Sequence, residues 1–94
     1  MSQKPAAPQK VIFAVSKAGH DKGKLYCVTG AAPDAYYLSD GLTRTVDRPK
    51  KKNPRHVQII THIPEAIATQ CLQNGMYYNE GIRYALKSWS KENQ

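Results

Sequence analysis

Between residues 10 and 61, short strand-like runs alternate with turn residues. The runs occupy residues 11–15, 25–29, 36–39, 42–46 and 57–61. Each is four or five residues long and carries β-branched or aromatic side chains, which is typical of β-strands. Asp40-Gly41 predicts a two-residue type I′ hairpin between the third and fourth runs. Five short strands with short connections predict a small closed or half-closed barrel, since a flat sheet would leave its edges and one face bare.

After residue 62 the apolar positions recur at the spacing of a helix. One helical stripe consists of Ile63, Ile67, Ala68, Cys71 and Leu72. Pro64 suits the first position of this helix and Gly75 suits its end. A second stripe consists of Ile82, Ala85, Leu86 and Trp89, with Asn79 as its N-cap. The chain is therefore predicted to be mainly β, with a flexible lead (residues 1–9), a five-stranded barrel (10–61) and two short C-terminal α-helices (62–94).

The charge is strongly asymmetric. The net charge of +7 arises wholly in residues 1–61, which hold eleven Lys and Arg against four Asp. Residues 62–94 hold three basic and three acidic residues and are neutral. A polyanion would therefore be met by the first two thirds of the chain.

Other classes of protein receive little support from the sequence. The longest apolar run is too short for a membrane span or a signal peptide, so no membrane partner is expected. Cys27 and Cys71 lie far apart without a CxxC motif, which favours free buried thiols in a reducing cytoplasm. The three histidines form no metal signature, and His20 and Asp21 are sequence neighbours that project differently. Neither a metal, a cofactor nor an enzymatic activity is expected.

The most informative stretch is the loop between the first two predicted strands. Gly19 and Gly23 lie four residues apart and are flanked by Lys17, Lys22 and Lys24. Glycine lets backbone N–H groups approach a phosphate closely, and lysines neutralise its charge. The same spacing also suits a hairpin loop whose lysines face only water.

A family resemblance favours the first of these interpretations. The stretch VIFAVSKAGHDKGKLYCV at residues 11–28 resembles the KOW motif. Together with DG at 40–41 and RPKKKNPRH at 48–56, it resembles bacterial KOW-domain RNA-binding proteins, which are similar to KOW-barrel proteins of the archaeal and eukaryotic large ribosomal subunit. The resemblance implies an SH3-like barrel whose KOW loop lies against structured RNA, usually ribosomal RNA.

The residues expected to meet RNA lie in two basic segments. By resemblance, the loop residues are Lys17, Gly19, His20, Lys22, Gly23 and Lys24. The second segment adds Arg44, Arg48, Lys50, Lys51, Lys52, Arg55 and His56. Like charges this dense favour either a polyanion or solvent around them, so a solvated loop that protects a sheet edge is the alternative.

The sequence thus predicts a cytoplasmic, non-catalytic RNA-binding protein, associated with the ribosome and with translation. A protein–protein adaptor, docking on a ribosomal protein or a translation or transcription factor through the C-terminal helices, is the first alternative. An exposed apolar patch around Ile82, Leu86 and Trp89 would favour it. A nonspecific DNA-binding protein is the second alternative.

Overall fold

A five-stranded antiparallel sheet forms the first part of the protein. The computed structural model describes residues 10–93, and the predicted lead at residues 1–9 lies outside them. The strands are β1 (Phe13–Ser16), β2 (Leu25–Ala32), β3 (Ala35–Ser39), β4 (Lys50–Lys52) and β5 (Val57–Ile60). They lie in the order β4-β3-β2-β1-β5, so every neighbouring pair is antiparallel and β4 and β5 form the two edges.

The sheet is open, so of the predicted closed or half-closed barrel the closed form is wrong. A single 3₁₀ turn, Pro54–His56, connects β4 to β5, and no backbone ladder joins these two strands. Asn53 caps this turn, because its side-chain oxygen accepts a hydrogen bond from the Arg55 N–H at 2.8 Å. The mainly β architecture is confirmed.

The predicted fourth strand, residues 42–46, is an irregular loop, and the Asp40-Gly41 hairpin is not formed. The Asp40 carboxylate accepts hydrogen bonds from the backbone N–H groups of Leu42 and Arg44, both at 2.8 Å. An Asp side chain often captures its own downstream backbone in this way and so competes with hairpin pairing. The strand that pairs with β3 is instead the lysine run Lys50–Lys52.

Only the second predicted helix forms at full length. It is α2 (Asn79–Glu92), and Asn79 does not cap it, because the Asn79 side chain instead accepts a hydrogen bond from the Val46 N–H at 2.8 Å. The first helical stripe is divided into the single turn α1 (Glu65–Ala68), the 3₁₀ turn Thr69–Cys71 and a small hairpin of β6 (Leu72–Gln73) and β7 (Met76–Tyr77).

The dipeptide Asn74-Gly75 ends the first helical segment early. Asn74 has φ of 55° and Gly75 has φ of 79°. Two successive residues with positive φ are characteristic of a type I′ turn, for which Asn-Gly is the preferred sequence. Gly75 therefore closes the β6–β7 hairpin, and the prediction that it ends a helix is wrong.

The two faces of the sheet carry separate hydrophobic clusters. The larger cluster packs the helical segment against one face and contains Val11, Phe13, Cys27, Ile67, Cys71, Ile82, Ala85 and Leu86. Trp89 covers it, with its ring edge-on to Phe13 at 6.3 Å between centroids. The smaller cluster lies on the opposite face and contains Ala14, Tyr26, Val28, Leu38 and Val57. The N-terminal strands and α2 are thus held together through one shared core.

Both cysteines are free and buried in the larger cluster, as predicted. The hydrogen bond between the two thiols and their removal from water raise the pKa of the Cys27 thiol. A thiol held protonated in this way is a poor nucleophile, so Cys27 serves as a core residue.

Candidate nucleic-acid interface

The loop between β1 and β2, residues 17–24, is closed by backbone hydrogen bonds at its base. The Gly23 N–H donates to the Ser16 carbonyl at 2.8 Å, and the Ser16 N–H donates to the Lys24 carbonyl at 3.0 Å. Gly19 and Gly23 have φ of 89° and 91°, which L-residues rarely adopt. The glycines are therefore required by the backbone path of this loop.

The carboxylate of Asp21 folds back under the loop and binds four donors. Its Oδ1 atom lies 2.8 Å from Ser16 Oγ and 2.9 Å from Lys52 Nζ. Its Oδ2 atom lies 2.6 Å from Tyr26 Oη and 3.2 Å from Lys50 Nζ. Four donors approach the capacity of a carboxylate, so Asp21 is occupied as a structural anion.

The electrostatics of Asp21 follow from these contacts. Burial by itself would raise the pKa of the Asp21 carboxyl, but the hydrogen bonds from Tyr26, Lys52 and Ser16 outweigh it and hold that pKa well below its usual range. Burial and the hydrogen bond to Asp21 raise the pKa of the Tyr26 hydroxyl, which stays protonated as a donor. Asp21 is therefore ionised at neutral pH.

Two of the three consecutive lysines are paired with Asp21. Lys50 and Lys52 pair with Leu38 and Tyr36 across the ladder and lie on the face that carries Tyr26. The Lys52 side chain is only 10% exposed, and its ammonium also donates to the Ala18 carbonyl at 2.9 Å. The three lysines thus lie on strand β4 and not in an open basic loop, and the call that they contact RNA stays a prediction.

Lys24 is also held within the protein. Its ammonium lies 2.6 Å from Asp40 Oδ2 and 3.2 Å from Thr43 Oγ1. It also lies 5.3 Å from the centre of the Tyr26 ring, within the range of a cation–π contact. Lys24 therefore fastens the loop to residues 40–46, and its charge is largely balanced by Asp40.

The remaining predicted cations are exposed. Among residues 10–93, no ion pair holds the exposed side chains of Lys17, Lys22, Arg44, Arg48, Lys51 and Arg55. His20 and His56 are exposed as well. The backbone brings the two basic segments together, because the Lys17 N–H donates to the His56 carbonyl at 2.7 Å.

The loop at residues 17–24 consequently lies between two other basic segments. Its start contacts the 3₁₀ turn that carries Arg55 and His56, and its end contacts the loop that carries Arg44. Arg48 lies in the turn before β4, where its N–H donates to the Thr45 carbonyl at 3.0 Å, and its side chain joins neither of these contacts. The arrangement can neutralise phosphates spaced along an extended polyanion.

The sequence prediction missed the central role of Asp21. A lone acidic residue among lysines was the available signal, since an anion in such surroundings balances cations that must be packed close to one another. In residues 10–93 no group of three or more His, Cys, Asp or Glu side chains is arranged to hold a metal ion. The described residues also include no helix with the length and apolar character that a membrane span requires.

Comparison with known proteins leaves the family open. No protein-family model matches the chain, and no curated protein matches it. The resemblance to KOW proteins therefore stays a prediction carried by residues 11–28, 40–41 and 48–56.

Proposed function

We propose that the protein is a cytoplasmic, non-catalytic RNA-binding protein of the KOW type that contacts structured ribosomal RNA. The observation that carries this proposal is the set of six exposed Lys and Arg side chains that no ion pair holds among residues 10–93. Four of them lie on the three adjoining segments, and the other two, Arg48 and Lys51, lie in the turn before β4 and on β4. Lys24, Lys50 and Lys52, in contrast, form ion pairs with Asp40 or Asp21. Displacement of counterions from phosphates by such side chains is the main source of affinity in nucleic-acid binding.

The loop at residues 17–24 leaves room for a phosphate at Gly23. Apart from Gly23 and its two chain neighbours, no described residue has an atom within 4 Å of the place where a side chain at Gly23 would begin, so the surface is open there. The Gly23 N–H donates to the Ser16 carbonyl, so a phosphate at this place would be bound by neighbouring side chains such as Lys22. Contacts of this kind read the shape and charge of RNA more than its sequence.

The alternative of an adaptor that binds through an apolar patch on α2 has less support. Ile82 and Leu86 are buried against the sheet, and Trp89 packs on Phe13. That stripe is used to attach the helix to the sheet, so it offers no large apolar patch to a partner.

A salt titration tests the electrostatic proposal. Labelled ribosomal RNA fragments are titrated with the wild type and with a triple variant in which Lys17, Lys51 and Arg55 are replaced by Ala. Removal of one cation that binds a phosphate makes the slope of log affinity against log salt shallower by ~0.7–0.9. We therefore expect the slope of the triple variant to fall by about two units, to a similar degree for different RNA sequences.

The matched control is Lys91→Ala, which removes an exposed charge from the last turn of α2. It should leave the slope unchanged. Equal slopes for all three proteins would contradict the proposal, and tighter binding to a DNA duplex would favour a nonspecific DNA-binding protein. Sedimentation of the tagged protein on sucrose gradients, with and without RNase, tests whether its RNA is ribosomal.

A further inference from the structure

A cleft of about 600 Å³ lies between the loop at residues 40–46 and α2. Its lining consists of Lys24, Asp40, Leu42, Glu80, Arg83, Tyr84, Leu86 and Lys87. Leu42 and Tyr84 are 67% and 59% exposed, although both are large apolar side chains. The cleft therefore combines uncovered apolar surface with charged groups.

The walls of the cleft are fixed to one another. Gly41 has φ of 79°, and a Cβ atom at this position would overlap the Asn79 carbonyl and come within 2.8 Å of Arg83 Cγ. The Asn79 side chain also accepts the hydrogen bond from the Val46 N–H. The loop is thus attached to the start of α2 at both of its ends, so the cleft is a built feature of the fold.

The charges of the cleft leave two cations available. Lys24 and Asp40 neutralise each other across 2.6 Å. Within residues 10–93, Arg83 and Lys87 take part in no ion pair, and both side chains are exposed. Glu80 is the one further acidic residue of the lining. The free charge of the cleft is therefore positive, beside an exposed aromatic ring.

We propose that this cleft binds one unpaired nucleotide of the RNA, with the base stacked on Tyr84 beside Leu42 and the phosphate bound by Arg83 and Lys87. The proposal rests on the proposed function and extends the RNA surface from the sheet to the C-terminal helix. Base stacking on an aromatic side chain accepts any base, because every base has a π-face.

Continuity with the basic loop favours a nucleotide over an acidic peptide. Lys24 belongs both to the loop at residues 17–24 and to the lining of the cleft, so the cleft adjoins the basic loop. The chemistry of the lining also suits a nucleotide, since a planar base and an anionic phosphate call for an aromatic face and a cation placed close together.

Two RNAs and matched variants test the nucleotide site. One RNA is a short unpaired oligoribonucleotide that carries 2-aminopurine, and the other is the blunt duplex of the same strand. We expect Tyr84→Ala to weaken binding of the unpaired RNA by about 5- to 150-fold and to leave duplex binding unchanged. Tyr84→Phe should bind like the wild type. Met76→Ala, which removes another exposed large apolar side chain, outside the cleft, should also have no effect.

The cations are tested by the double variant Arg83→Gln with Lys87→Gln. It should make the salt slope for the unpaired RNA shallower by ~0.7 for each cation that binds a phosphate in the wild type. Unchanged affinity for the unpaired RNA in both Tyr84→Ala and the double variant would overturn the proposal. Displacement of the unpaired RNA by an acidic peptide that contains aromatic residues, but not by adenosine monophosphate, would overturn it in favour of a protein partner.

Titration with adenosine monophosphate, followed by NMR, separates this proposal from the proposed function. If the wild type binds neither RNA, the proposed function fails. Chemical-shift changes centred on Tyr84 that Tyr84→Ala abolishes would still support a nucleotide site in that case. Their absence, with no RNA bound, would overturn both proposals.

Discussion

The two faces of β4 use the same amino acid for opposite purposes. Lys50 and Lys52 turn toward the smaller hydrophobic cluster and bind Asp21, whereas Lys51, between them, is exposed and unpaired. Strand alternation alone separates them. The number of basic residues in a run therefore does not give the number that can contact a nucleic acid, because some of them form ion pairs within the protein.

The inner lysines also explain how a lysine run becomes a strand. Lysine has a low preference for strands, and three in succession repel one another. Asp21 reaches from the β1–β2 loop and binds two of the three, so the repulsion within β4 is reduced. The loop and the edge strand therefore stabilise each other through one carboxylate.

Asp21→Ala should lower the free energy of unfolding more than the other variants, because Asp21 binds both inner lysines of β4. This change leaves the Lys52 ammonium in a place where it is only 10% exposed and removes the acceptor of the Tyr26 hydroxyl. Breaking a buried ion pair by deleting one partner costs about 3–5 kcal/mol, and this partly buried pair should lose an amount near the lower end of that range. Urea denaturation should show this loss, while Asp34→Ala, at an exposed position in the β2–β3 turn, should lose less than about 0.5 kcal/mol. A loss equal to that of Asp34→Ala would show that Asp21 does not organise the loop.

A low pH should remove part of the stability that the Asp21 carboxylate contributes. The pKa of Asp21 is held below its ordinary value of 3.8 in the folded protein, and the pKa of Asp40 shifts in the same direction. The stability that these carboxylates contribute is fully present above the unfolded pKa and is lost as the pH falls toward the folded pKa. Denaturation measured between about pH 7 and pH 2 should show a falling free energy of unfolding below ~pH 5. Asp21→Asn should make this fall shallower, and an unchanged profile would contradict the assignment.

A smaller loss is expected from Lys52→Met. The Asp21 carboxylate keeps three of its donors, but it loses one charged hydrogen bond, which contributes about 1.5–3 kcal/mol. The same substitution at Lys51 is the matched control and should change the free energy of unfolding by less than about 0.5 kcal/mol. Equal losses at the two positions would mean that the inner and outer lysines do not differ.

Lys51→Met should have the smallest effect on the free energy of unfolding and the clearest effect on RNA binding. Lys51→Met should make the salt slope of RNA binding shallower by ~0.7–0.9, whereas the folded fraction of Lys52→Met should keep the wild-type slope. Binding is compared without denaturant, at equal concentrations of folded protein that circular dichroism verifies. A shallower slope for Lys52→Met alone would reverse the roles assigned to the two faces.

Much of the sheet was predictable because its strands carry their own local signal. Runs of β-branched and aromatic residues predicted four of the strands, β1, β2, β3 and β5. The apolar positions of α2 recur at helical spacing, which predicted that helix. The strand at Lys50–Lys52 carries no such signal, because its pairing depends on an anion that lies about thirty positions earlier in the chain. Asn74-Gly75 did carry a local hairpin signal, which the helical spacing of the preceding residues obscured.

The candidate site was predicted in its composition but not in its arrangement. The positions of the lysines, arginines and paired glycines are plain in the sequence, and their exposure follows for most of them. Which cations are neutralised depends on Asp21 and Asp40, whose partners come from distant segments. The cleft at Tyr84 has no sequence signal, because its two walls are separated by about forty residues and meet only through Gly41 and Asn79.

Local patterning was enough to specify where most of the strands form, where α2 runs, that the cysteines are buried and free, and that the positive charge lies before residue 62. These properties depend on periodicity and composition, which act over a few neighbouring residues. Contacts between distant segments decided that the sheet stays open, that β4 is an edge strand, and that Lys51 is free while Lys50 and Lys52 are bound. Those outcomes depend on which side chains reach one another across the fold, since an ion pair exists only when folding brings its two members within about 4 Å.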